Sequence, residues 1–160
     1  MNTKFPEFNP TDACRKCQGA CCKNMGCHFS PTDFKEISFD YLKEVIMKGY
    51  ISIDWWEEPD DSPSYFLRMR NVGGPIIDPS WGGRCVLLTD DGCPLSFNER
   101  PLGARSLKPS PDGYCVVHYS KEQCKYDWAN YSDILKELVE YFTKDLCEIN
   151  KGENHVENLD

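Results

Sequence analysis

The chain has 160 residues, of which 40% are hydrophobic and 12% aromatic. That is enough apolar mass for one packed domain and too much for a disordered chain. Its formal net charge of −8 repels phosphate backbones, so no nucleic-acid partner is expected. No apolar run approaches the ~18 residues that a membrane span needs.

The opening segment, MNTKFPEFNP, lacks the apolar core of a signal peptide. A cytoplasmic chain with no membrane partner is therefore expected. Ten cysteines in a reducing compartment then need a role other than disulfides. Cys14, Cys17, Cys21 and Cys22 read C-x2-C-x3-C-C. A two-residue gap lets two thiolates reach one ion from a single turn. If residues 12–22 are helical, Cys14, Cys17 and Cys21 share one face at i, i+3 and i+7. Cys22 then points about 100° away. Gly19 weakens that helix, and a looped knuckle would serve as well. Cys27 and the adjacent His28 have two readings, as ligands or as core residues.

Ser30-Pro31-Thr32-Asp33 predicts a helix start, with a hydroxyl N-cap, proline at N1 and an acid at N3. Phe34, Ile37, Tyr41, Leu42, Val45 and Ile46 then share an apolar face, and Gly49 is a natural C′ residue. Residues 50–56 and 64–70 are rich in aromatic and branched side chains and predict strands. Between them, Glu57, Glu58, Asp60 and Asp61 read as solvated surface. Residues 71–83 predict loop, with Gly73-Gly74-Pro75 and Gly82-Gly83 as breakers.

A second cysteine group follows. Cys85 and Cys93 flank VLLTDDG, which predicts an apolar strand and an Asp-Gly turn that brings the two ends together. Cys115 falls in a short predicted strand beside His118. Cys124 falls just inside a helix opened by Ser120, with Gln123 completing a capping box. The two groups together supply eight thiols as candidate metal ligands: Cys14, Cys17, Cys21, Cys22, Cys85, Cys93, Cys115 and Cys124. Arg84, Arg100 and Arg105 lie around the second group and read as surface charge or as an offset to thiolate charge.

Residues 121–147 predict one long helix, or two joined near Asn130. Ile134, Leu135, Leu138, Tyr141, Phe142 and Leu146 form its apolar face, and Cys147 reads as a core residue. Trp55, Trp56, Trp81 and Trp128 also read as core. Residues 1–148 are expected to form one domain and 149–160 a polar, disordered tail. The expected fold class is α+β: a cysteine knuckle and helix, short antiparallel strands, and a helical C-terminus.

The pattern CRKCQGACC, followed by CVLLTDDGCPLSFNERPLGARSLKP, resembles a bacterial cysteine-cluster family of zinc- or iron-chelating domains. The resemblance spans roughly residues 14–109. It implies Cys14, Cys17, Cys21, Cys22, Cys85 and Cys93 as ligands. The chain departs from the family pattern at Ala104, where the family has a cysteine before Arg105. Cys115 or Cys124 could replace that ligand. The family name implies chelation and no reaction. Some relatives are protein-lysine methylases of flagellar assembly, which for this chain is analogy of fold alone.

Three functions follow as expectations. The first is a metal-binding protein with structural zinc, since four thiolates close the coordination sphere. The second is an iron–sulfur protein with a redox or methylase-like role. The third is a thiol redox or metal-delivery protein with Cys21-Cys22 as its reactive element. No Gly-rich phosphate loop and no G-x-S-x-G stands in the sequence, so no catalytic constellation is assigned.

Overall fold

The computed structural model describes residues 20–24, 26–58, 61–79, 83–109, 115–116 and 119–153. The first described element is a short helix, α1 (Ala20–Asn24). Residues 27–29 run antiparallel to residues 67–69, with Phe29 N–H bonded to Leu67 O and Met69 N–H to Cys27 O. Ser30 then accepts the Thr32 N–H, and the Asp33 carboxylate takes the Ser30 N–H at 2.8 Å, which is a capping box.

The single helix expected between Ser30 and Gly49 does not follow. Only one 3-10 turn forms, Pro31–Asp33, and Phe34 leaves it extended at φ −109°, ψ 142°. Two forces divide the segment. Asp33 is held from outside, accepting the Leu102 N–H at 2.8 Å and pairing with the Arg105 guanidinium. Ser38 offers a second N-cap, accepting the Tyr41 N–H, and starts α2 (Phe39–Val45). The last turn, Ile46–Tyr50, widens to π geometry, and Gly49 ends it at φ 90°.

Two antiparallel strands follow where strands are expected, β1 (Ile51–Glu58) and β2 (Asp61–Met69), with Ile51 opposite Met69 and Trp55 opposite Tyr65. The loop after β2 returns to flank β1. Ile53 donates to Ile76 O at 2.7 Å and accepts from Asp78 N–H at 2.9 Å. β1 is thus paired along both edges, and its first four residues, Ile51, Ser52, Ile53 and Asp54, are all buried in succession.

The predicted strand in VLLTDDG is replaced by turns. Cys85 O accepts the Leu88 N–H at 3.1 Å, and Thr89 and Gly92 exchange two bonds of 3.1 Å around Asp90-Asp91. The Asp-Gly turn is present, but its flanks are too short for a strand. A short helix, α3 (Leu102–Arg105), follows. Then β3 (Lys108–Pro109) pairs with β4 (Cys115–Val116).

Ser120 opens α4 (Lys121–Trp128) by accepting the Gln123 N–H at 3.1 Å. The Gln123 amide turns forward to Asp127 at 2.8 Å instead of back to Ser120, so the expected capping box is half made. A 3-10 turn, Ala129–Tyr131, joins α4 to α5 (Ser132–Glu153). The expected junction near Asn130 is therefore present. α5 runs on through residues 149–153, which were expected to begin the tail; 154–160 lie outside the described residues.

The core forms where α2, α4 and α5 close over the hairpin. Leu42, Ile46, Ile53, Phe66, Leu67, Trp128, Leu135 and Leu138 are fully buried there. Ile134 and Tyr141 pack at its edge. The architecture is α+β, as expected. No helix among the described residues is long and apolar enough to cross a membrane.

The Asp33 carboxylate ties residues 30–33 to α3. Removing it leaves the Leu102 N–H and the Arg105 guanidinium without that acceptor. Asp33→Ala is expected to lower the unfolding free energy by about 2 kcal/mol, read as a lower urea midpoint at unchanged m-value.

Candidate metal centre

Cys22 and Cys85, far apart in sequence, meet through their backbones. The Cys85 N–H donates to Cys22 O at 2.7 Å, and the Gly83 N–H donates to Asn24 O at 2.8 Å. The Cys85 segment is also held to the end of β2. Val86 donates to Arg70 O at 2.9 Å and Val72 to Arg84 O at 2.7 Å. On the other flank Met69 donates to Cys27 O at 2.9 Å, and Phe29 donates to Leu67 O at 2.9 Å. Residues 22–29, 67–72 and 83–86 are thus stitched to one another.

Gly26 allows the closest of these approaches. A Cβ there would lie 2.1 Å from Met69 O, so any side chain would force the strands apart. Its N–H is taken by the Asn71 side chain at 3.3 Å.

Alternation along β2 gives the assembly two chemical faces. Met69 points to one face, where it forms a small buried cluster with Cys85 and Leu88; Cys22, Phe29 and Leu87 pack against it. This is the sulfur face. Its donors are thiols and its walls are apolar, a combination that suits a soft cation such as zinc or iron. An ion there would be held by thiolates and shielded from water by Met69, Leu87 and Leu88.

Arg68 points to the opposite face and is fully buried with Asp54 and Asp78. Its Nε donates to Asp54 at 3.0 Å, and one terminal nitrogen reaches Asp78 Oδ2 at 2.9 Å. Lys121 stands 3.8 Å from Asp54 and over the rings of Trp56 and Phe66, 5.0 Å from each centroid. Burial raises the Asp54 carboxyl above its ordinary range, while Lys121 and Arg68 pull it down. Burial lowers the Lys121 ammonium.

His28 belongs to this charged face. It pairs across from Arg68, and its ring meets Phe66 edge-on at 5.4 Å. Its Nε2 is buried with no hydrogen-bond partner among the described residues. Burial, reinforced by Lys121 and Arg68, pushes the imidazole down to about 4. The same two cations oppose a metal ion at that nitrogen. His28 is therefore turned away from the thiols and held in a setting hostile to a cation.

The predicted ligands divide as follows. Cys22 and Cys85 come together. Cys93 leaves the Thr89–Gly92 turn half-buried. Cys21 stands in α1 and Cys115 in β4 opposite Pro109, but their side chains lie outside the described residues. Cys14, Cys17, His118 and Trp81 lie outside them altogether, as does the Cys147 side chain.

Cys124 sits elsewhere. It is fully buried in the main core, its Sγ donates to Phe29 O at 3.4 Å, and burial pushes the thiol up to about 12. Among the described residues no three His, Cys, Asp or Glu side chains gather closely enough to hold an ion, and no disulfide joins the described cysteines.

The three arginines hold backbone around the second cysteine group. Arg84 donates to Leu88 O at 2.8 Å, Arg100 to Leu95 O at 3.1 Å, and Arg105 to Arg100 O at 2.9 Å. The Asp54–Arg68–Asp78 network was missed in the sequence. The available signal was an arginine within SYFLRMR, in step with Phe66 on a strand with no solvent face.

Residues 13–133 match the model of a family described as "CxxCxxCC: Putative zinc- or iron-chelating domain". No curated protein and no solved structure matches the chain.

The setting of His28 yields a pH dependence. An imidazole neutral when folded and free to protonate when unfolded gives stability that is complete above pH 6.5 and is lost as pH falls towards about 4. The full effect is at most about 3 kcal/mol. In His28→Gln that part of the slope is expected to vanish. Measured by urea between pH 7 and pH 4, the unfolding free energy of the wild type should fall relative to that of the variant towards the acid end.

Proposed function

The chain belongs to the zinc- or iron-chelating family matched over residues 13–133, and from that premise we propose that it binds zinc through clustered thiolates as a structural centre. The ligands are drawn from Cys14, Cys17, Cys21 and Cys22 in the first group and from Cys85 and Cys93 in the second. Cys115 can complete the set.

The observation that carries this reading is the junction of Cys22 with Cys85. A backbone bond of 2.7 Å joins them, and both side chains pack on the Met69–Leu88 cluster. Two cysteines so far apart in sequence, aligned on one apolar patch, offer an ion donors from both groups at once. Zinc bound by four thiolates keeps no open position for water. Its role would be to tie the two segments together. Cys124 is better explained as a core thiol, because an anion in its surroundings is strongly disfavoured by burial.

Metal content tests the proposal directly. Protein purified without oxygen should be colourless and carry zinc by elemental mass spectrometry. A brown protein with acid-labile sulfide would instead establish an iron–sulfur centre. A folded, metal-free protein with titratable thiols would leave the redox or delivery reading.

Substitutions refine the test. Cys17→Ser should lose most of the metal and melt earlier, since such binding is worth on the order of 10–16 kcal/mol and is coupled to folding. Cys147→Ser should keep its full metal content. Cys124→Ala should keep its metal while losing about 1–2 kcal/mol through a small core cavity. An empty centre in either of the last two would refute the ligand assignment.

A further inference from the structure

We propose that Lys121, away from the thiols, is a carbonyl-reactive amine that condenses with small neutral aldehydes, with Asp54 moving the protons. Lys121 is the first residue of α4 and follows the Ser120 N-cap. Its Nζ stands 5.0 Å from the ring centroids of both Trp56 and Phe66, and 3.8 Å from Asp54 Oδ1. Phe66 and Asp54 are buried, and Trp56 is exposed at the rim. Lys121 itself keeps 15% of its side chain open. A small solute can therefore reach an amine that has aromatic walls and a carboxyl at its side.

The setting favours the neutral amine, which is the nucleophilic form. Burial strips water from the ammonium. The first turn of α4 presents N–H groups whose partial positive charge opposes a cation. Asp54 is also shared. Its Oδ2 takes Arg68 Nε at 3.0 Å, and its Oδ1 takes the Trp55 N–H at 2.7 Å. A second, fully buried cation thus stands behind the same carboxylate. The ammonium is lowered by burial first, with Asp54 opposing and Arg68 adding to the effect. The ring faces attract what cation remains and hold Nζ in place.

His28 adds an unclaimed polar atom to the cluster. Its ring meets Phe66 edge-on, and its buried Nε2 has no hydrogen-bond partner among the described residues. Such an atom calls for an explanation, and a small polar guest in the cluster supplies one.

In the reaction, the Nζ lone pair attacks the carbonyl carbon, and the C=O π electrons move to oxygen. Asp54 takes a proton from the nitrogen and returns it to that oxygen, giving a carbinolamine. A second round of the same transfer expels water and leaves an imine. One amine and one aldehyde thus give one imine and one water, with Asp54 unchanged.

Propanal with cyanoborohydride at pH 7 traps the imine on the full chain as a propyl amine, read by peptide mass spectrometry. Lys121 is expected to be propylated at least about tenfold faster than the exposed Lys48 and Lys136. A smaller ratio would overturn the proposal. Asp54→Asn separates two roles for the carboxyl. Loss of a proton carrier should slow Lys121 while Lys48 and Lys136 keep their rates. Were Asp54 only a counter-charge, its removal would free more neutral amine and speed Lys121, and that result would refute its assignment. Where the variant does not fold, the wild-type ratio decides alone.

Discussion

The arrangement of the thiols depends on one stretch of backbone, residues 67–72, being shared by two neighbours. Cys27 and Phe29 bond to one part of it, and residues 84–86 to another, while Cys22 and Asn24 bond directly to Cys85 and Gly83. Each of the three segments thus bonds to the other two. Closing a loop from Cys22 to Cys85 costs conformational entropy. Here amide hydrogen bonds and the Asp33 link to α3 already meet that cost in the folded chain. An ion arriving at the sulfur face would find part of its ligand set preorganised, which favours binding without new contacts.

The same strand keeps the Cys22–Cys85 junction apart from the buried charges. A thiolate site beside Arg68 and Lys121 would gain attraction to those cations and lose some of its preference for a metal. A histidine beside the thiols would offer a competing nitrogen ligand. Alternation along β2 prevents both, with Met69 on one side and Arg68 on the other. The cost is a buried arginine, and it is offset by two carboxylates. Asp54 and Asp78 lie at 3.0 and 2.9 Å. Loss of Arg68 would strand both acids in the interior, and a broken buried pair is far more damaging than an absent one.

Much of the fold was legible because its signals are local. The β1–β2 pair, the junction at Ala129–Tyr131 and the buried positions Leu135, Leu138 and Phe142 follow from side-chain periodicity. The helix expected from Ser30 failed for a non-local reason. Its cap was read correctly, but Asp33 bonds to Leu102 and Arg105, about seventy residues away, and no pattern near Asp33 shows that. The VLLTDDG strand failed because apolar residues beside a turn look alike whether they ladder or coil. C-x2-C-x3-C-C was legible as the mark of the zinc- or iron-chelating family, whose model matches residues 13–133. Cys124 was included as a member of the second group and as a replacement for the ligand missing at Ala104. Its burial depends on the packing of α4 against Phe29, which spacing cannot express.

This division also says how a bound metal would act on the molecule. Among the described residues, the main core, from Leu42 and Ile46 through Phe66 to Leu138, contains one cysteine, Cys124. The thiols that meet, Cys22 and Cys85, sit on a separate cluster of Met69 and Leu88. A chain of this size can bury enough apolar surface to fold without a metal staple. Cys124, the described thiol of the helices closed over the hairpin, lies in the main core and not on the sulfur face. Metal loss should therefore act first on residues 20–29 and 83–93, whose order depends on a few backbone bonds and a small apolar patch. Regions held by so few contacts open at lower free energy than the core they border. On this view the ion governs how firmly the two cysteine segments are clasped, while the helical layer over the hairpin stands on its own packing.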